Sequence, residues 1–155
     1  PSNLLSSVLR PCHFERGSEG AIMRVLSSPS VVSARVVPQG WSVRSLLHQV
    51  ATTEPPLHAL IDTGALVTGM SSREVAAFLL EAGLAGMQGC MYLDEADRQM
   101  VLMRGSSRAV PLAQCGLAWE QRFTFYDQVH TTGIDIKQPL LARAAVMVGK
   151  DMTLH

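Results

Sequence analysis

The chain has 155 residues, 47% of them hydrophobic and 17% charged, with thirteen basic residues balancing thirteen acidic ones. These values describe one globular domain with a real core and argue against disorder. The zero formal charge gives no electrostatic footprint for nucleic acid or an anionic membrane.

Residues 1–40 are irregular, with Ser, Pro and Gly scattered among short apolar groups, and "VVSARVV" (31–37) is the best strand candidate there by its β-branched content. From residue 41 to 155 the pattern becomes regular and predicts an α/β domain. "SVRSLLHQVATTEPP" predicts a helix, because Val43, Leu46, Leu47 and Val50 share one face, Ser42 caps the start and Pro55-Pro56 ends it. "LHALID" predicts a short buried strand. "SSREVAAFLLEAG" is the clearest helix: Ser71 and Glu74 form a capping box, Val75, Phe78, Leu79 and Ala82 build its apolar face, and Gly83 is expected to stop it in a left-handed conformation.

"GCMYLDEADRQMVLMR" predicts two strands around the polar turn Asp94–Gln99, and "RAVPLA" adds a third. "RFTFYD" is a strand by its aromatic alternation, "QPLLARA" a short helix or turn, and "AAVMVG" a last buried strand. Strands alternating with helices predict a layered α/β fold with a largely parallel sheet and flanking helices.

Cys12, Cys90 and Cys115 are too few and too widely spaced for a disulfide framework or paired zinc knuckles, so a reducing, intracellular and cytoplasmic setting is expected. Glu81 and Arg143 interrupt the longest apolar stretches, so no membrane span is predicted. A zinc site built from Cys12, His13 and scattered ligands has no motif behind it, and no metal is expected. His48, His58 and His155 are assigned to the surface or to helix ends.

Three stretches carry candidate chemistry. In "HALIDTGALVTGM" (58–70), Asp62-Thr63-Gly64-Ala65 resembles the signature of retroviral aspartic proteases. That family pairs two carboxylates that share a proton, so one motif per chain implies a homodimer with Asp62 on the symmetry axis of an all-β fold. The capped helix that follows disfavours that arrangement. The competing expectation makes Asp62 the acceptor of a strand-to-helix turn, with Gly64 freeing the backbone.

The second stretch, "FYDQVHTTGIDIKQ" (125–138), delivers Asp127 and His130 from an aromatic strand, then Thr131, Thr132, Gly133 and Asp135. The Asp-x-x-His spacing imitates a helicase magnesium box, but the G-x-x-x-x-G-K-[ST] phosphate loop is missing. The third, "QCGLAW" (114–119), resembles the papain-type nucleophile region, with Ala118 where the reactive cysteine would stand. Cys115 is therefore expected to be a small, buried side chain rather than a nucleophile paired with His130.

"TTGIDI" resembles the Thr/Gly/Asp motif of the second RecA-like domain of helicase-type ATPases. "HALIDTGALVTGM", "YLDEADRQMVLMR", "FTFYDQVHTTGIDIKQ" and "GKDMTL" together resemble a segment of very large, poorly characterised eukaryotic proteins, notably from protists. These carry a helicase-like module, and some are described as ubiquitin hydrolases. The likeness spans residues 30–154. It implies a RecA-like half, an incomplete fragment whose partners are the remaining domains of a larger parent chain. Thr132, Gly133 and Asp135 match the helicase motif and are implied to face a nucleotide or ligand, with Asp62, Asp127 and His130 as additional candidates. ATP and magnesium are implied only for the complete parent. Hydrolysis by this piece alone is not expected, because it lacks the phosphate loop and the arginines that phosphoryl transfer needs. A non-catalytic interaction domain is the further alternative.

Overall fold

The computed structural model describes residues 17–150 and Met152. The chain divides between Val37 and Pro38 into two compact units. In the first, α1 (Ser18–Leu26) begins after Gly17, whose φ of 94° is left-handed, and its Ile22, Val25 and Leu26 are exposed. Sequence reasoning missed this helix. It also expected a strand at 31–37, and none forms there. β-branched content favours a strand only where a neighbouring strand supplies the ladder, and residues 31–37 have no such partner among the described residues.

The second unit is α/β. Its sheet is built from β1 (Ala59–Ile61), β2 (Gly89–Leu93), β3 (Gln99–Met103), β4 (Ala109–Pro111), β5 (Arg122–Tyr126) and β6 (Ala144–Val146). The order is β4-β3-β2-β5-β1-β6. β2, β5, β1 and β6 run parallel, whereas β3 and β4 are antiparallel additions at one edge, so the sheet is mixed.

Two helices accompany it. In α2 (Val43–Ala51), the Ser42 side chain accepts from the Ser45 amide and the Ser45 side chain from the Ser42 amide. Leu46, Leu47, Val50 and Ala51 are its buried face. In α3 (Ser72–Ala82) the expected capping box forms between Ser71 and Glu74, and the buried face is Val75, Ala76, Leu79 and Leu80. Phe78 lies at the edge of that face, where the Arg44 guanidinium stacks 5.3 Å from its ring centre. α3 packs on β2, and α2 packs on α3.

Gly83 does not adopt the expected left-handed stop. Its φ is 172°, and it is glycine because a Cβ would strike the carbonyl of Ala51 at the end of α2. The turn is closed by the Leu84 amide, which donates to that carbonyl at 2.7 Å. Carbonyls in the last turn of α3 and in the segment just beyond it are collected by Arg104, just past β3. Its guanidinium donates to Leu80 (2.6 Å), Met87 (2.7 Å), Gly83 and Leu84 (both 2.9 Å). A fixed positive fork on free carbonyls at a helix C-terminus offsets the helix dipole and satisfies acceptors that the helix leaves open.

The sheet separates two apolar layers. Pairing aligns Cys90 with Phe123 and Leu60 with Phe125, all fully or almost fully buried. On the opposite face Met91, Leu93, Val101 and Ile136 form a second cluster, covered by Leu112, Cys115, Leu117 and Ile134. A short 3-10 turn, Leu112–Gln114, and irregular chain segments rather than an α-helix therefore close that side. Burial pushes the Cys90 thiol well above its ordinary range, which makes it an inert core residue. No helix of the described residues is long and apolar enough to cross a membrane.

Candidate functional site

Parallel strands deliver their following loops to one edge. Ile61 of β1 aligns with Tyr126 of β5 and Val146 of β6, so the segments starting at Asp62, Asp127 and Met147 emerge side by side. The Asp62 amide donates to the Tyr126 carbonyl at 2.9 Å, continuing the ladder one step beyond the strand.

Asp62 is only 1% exposed. One carboxylate oxygen accepts the Leu66 amide and the other the Val67 amide, each at 2.9 Å. The aspartate thus folds the loop after β1 around itself. Both oxygens are engaged by the chain's own backbone, in an α/β fold rather than the all-β fold that the protease alternative requires. Thr63 donates its hydroxyl to the Met147 carbonyl, and the Gly64 amide donates to the same oxygen at 2.9 Å. Gly64 is there for space: a Cβ would lie 2.5 Å from the Gly149 nitrogen and 2.9 Å from the Val148 carbonyl carbon. The expectation that it frees the backbone is replaced by close approach of two chain segments. The residue with a left-handed φ, 53°, is Ala65.

Asp127 caps a single 3-10 turn, Gln128–His130. Its Oδ1 accepts the amides of Val129 (3.0 Å) and His130 (3.2 Å) and lies 2.7 Å from His130 Nδ1. Its Oδ2 accepts the hydroxyl of Ser72, the first residue of α3, at 3.1 Å. The other imidazole nitrogen, Nε2, lies 2.9 Å from Asp97 Oδ1. His130 therefore ties together the end of β5 and the β2–β3 turn, while Asp127 reaches the start of α3. The imidazole is pushed up from its ordinary pKa, chiefly by the Asp97 hydrogen bond, with burial opposing and Asp127 adding to the rise.

The β2–β3 turn is itself well built. Asp94 Oδ1 accepts the amides of Ala96 and Arg98, both at 3.0 Å, and its Oδ2 pairs with the Arg98 guanidinium at 2.7 Å. Hydrogen bonds from Arg98 lower the Asp94 carboxyl pKa, and the tip, Asp97, has φ 57°.

Comparison with protein-family models, curated proteins and solved structures finds no match to this chain.

Thr132, Gly133 and Asp135 are exposed in the loop that follows, with Gly133 at φ 77°. Among the described residues no hydrogen bond joins them to Asp62, Asp127 or His130. They are positioned from both sides instead: His130 fixes the start of the loop, and Ile134 and Ile136 pin it to the sheet through the Met91 cluster. Gln138 ends the segment by donating to Thr124 Oγ1 at 2.8 Å.

Cys115 packs in that same cluster with Met91 and Val101, with no hydrogen bond to His130. Cys12, His13 and His155 lie outside the described residues. Among those described, no three His, Cys, Asp or Glu side chains are placed to hold a metal ion. Sequence reasoning singled out Asp127 and His130 but not Asp97 or Ser72, whose partners are 33 and 55 residues away. No local signal marks such pairs.

Proposed function

We propose that the carboxyl edge of the parallel strands is a nucleotide or partner interface of a helicase-like module, related to the second RecA-like half. In this proposal Thr132, Gly133 and Asp135 face the ligand, while Asp62, Asp127 and His130 shape the edge. The observation that carries it is the divergence at β1 and β5. These strands are adjacent and parallel, yet the chain after β1 leads to α3 on one face and the chain after β5 crosses the other through Ile134 and Ile136. A divergence of this kind at the carboxyl ends is the topology at which open α/β sheets bind ligands.

The chain contributes no phosphate loop, and Arg98 of the β2–β3 turn is engaged by Asp94. Hydrolysis would accordingly need cationic groups from the remaining domains of a parent chain, with ATP and magnesium as the expected ligands of that assembly. Burial and double engagement of Asp62 favour this reading over a dimeric protease.

An NMR titration of the 15N-labelled chain with ADP or with ATP and magnesium tests it. Amide shifts are expected to concentrate in residues 62–67, 94–98 and 127–136, without phosphate release. Absence of shifts, or shifts centred on the amino ends of the strands, would overturn it.

A further inference from the structure

The imidazole of His130 lies between two carboxylates, 2.7 Å from Asp127 and 2.9 Å from Asp97. An ionised carboxylate has only acceptor oxygens, and a neutral imidazole has only one N–H. Neutral His130 could therefore donate to one partner while turning a bare nitrogen lone pair toward the other. Both contacts are favourable together only when the ring carries two protons. We propose that His130 is a protonation-controlled clasp, which holds the β2–β3 turn against the loop 127–135 when charged and releases it when neutral.

The two partners are unequal, and that decides which contact opens. Asp127 also accepts two backbone amides and the Ser72 hydroxyl, and its side chain is 20% exposed. Asp97 is 78% exposed at a turn tip, and the imidazole is the only side chain that binds it among the described residues. On deprotonation the remaining proton stays on Nδ1, facing Asp127, and Asp97 lets go.

The groups that act on the ring are Asp97 from the β2–β3 turn and Asp127 from the end of β5. α3 contributes the neutral Ser72 through Asp127. Asp94 and Arg98 in the same turn neutralise one another. The raised pKa agrees in sign with this geometry. A histidine whose pKa is higher in the folded protein contributes its full stabilisation below the ordinary value of about 6.5, and loses it as pH rises through the folded-state value.

Opening also leaves one more uncompensated negative charge beside Thr132–Asp135. Resting on the ligand proposal above, this implies that an anionic nucleotide binds more weakly above the transition than below it.

Two-dimensional NMR of the imidazole nitrogens and backbone amides, from pH 5 to pH 9, tests the clasp. His130 is expected to titrate above the ordinary histidine value, with the amides of 94–98 and 129–136 following the same curve. Asp97→Asn should move that curve down by about one pH unit, a tenfold change in proton affinity. It removes only an exposed carboxylate and should leave the fold intact. His130→Gln should abolish the pH dependence of those amides. The proposal is overturned if wild type and Asp97→Asn titrate together, or if the turn amides ignore the imidazole. A titration with ADP at pH 6 and pH 8.5 reads the ligand consequence separately. If ADP binds at neither pH, the ligand reading fails while the imidazole curves still decide the clasp.

Discussion

Replacing Asp62 by alanine removes the one side chain that accepts both the Leu66 and Val67 amides. Hydrogen bonds to a charged acceptor contribute about 1.5–3 kcal/mol each, and abandoned buried donors forfeit most of that. Leu66 and Val67 are half-buried, so water can reach part of the opened loop, and the lower half of the range applies. The expected loss is about 3 kcal/mol of unfolding free energy for Asp62→Ala. Asp62→Asn keeps one acceptor and turns an NH2 toward the other amide, so about half that loss is expected, with one donor left unmet. Urea unfolding followed by far-ultraviolet circular dichroism and by tryptophan fluorescence measures both, and coincidence of the two probes justifies a single free energy. An Asp62→Ala protein within about 0.5 kcal/mol of wild type would refute the loop-closing role. A catalytic aspartate would show the opposite signature, unchanged stability together with loss of a proteolytic activity.

Two further substitutions probe what holds the carboxyl edge and the helix layer in place. Gly64→Ala drives a methyl group into the Val148–Gly149 backbone, which cannot rotate away as a side chain would. A loss of about 1–3 kcal/mol is expected, with faster hydrogen exchange concentrated in β6. Arg104→Met preserves the aliphatic stem but removes the guanidinium from the carbonyls of Leu80, Gly83 and Met87, and from that of Leu84, which keeps the Met87 amide, at a cost of about 2–3 kcal/mol by thermal or chemical unfolding. Arg104→Lys should recover only part of that, since an ammonium cannot reproduce a planar fork spread over several acceptors.

Local chemistry made much of the fold legible. Ser71 and Glu74 announced the start of α3, and the apolar spacing of Leu46, Leu47 and Val50 announced α2, because capping and helical periodicity act within four residues. The strand signals at 89–93, 99–103 and 122–126 were equally local. At 31–37 the same reasoning failed, since a strand exists only through its partner. Gly83 and Gly64 showed a related limit: their glycine character answers to Ala51 and to Gly149, residues brought near only by folding.

The sequence by itself determined which residues could do chemistry, and it marked Asp62, Asp127, His130 and the Thr132–Asp135 loop by type and spacing. Only the tertiary structure decided what they do to one another. It folded Asp62 onto its own loop, joined His130 to Asp97, and laid the loops after β1 and β5 side by side. The physical reason is range. Caps and periodicity are settled within a turn of chain, whereas a carboxylate's partners are settled by strand order and register, which no short stretch of sequence contains.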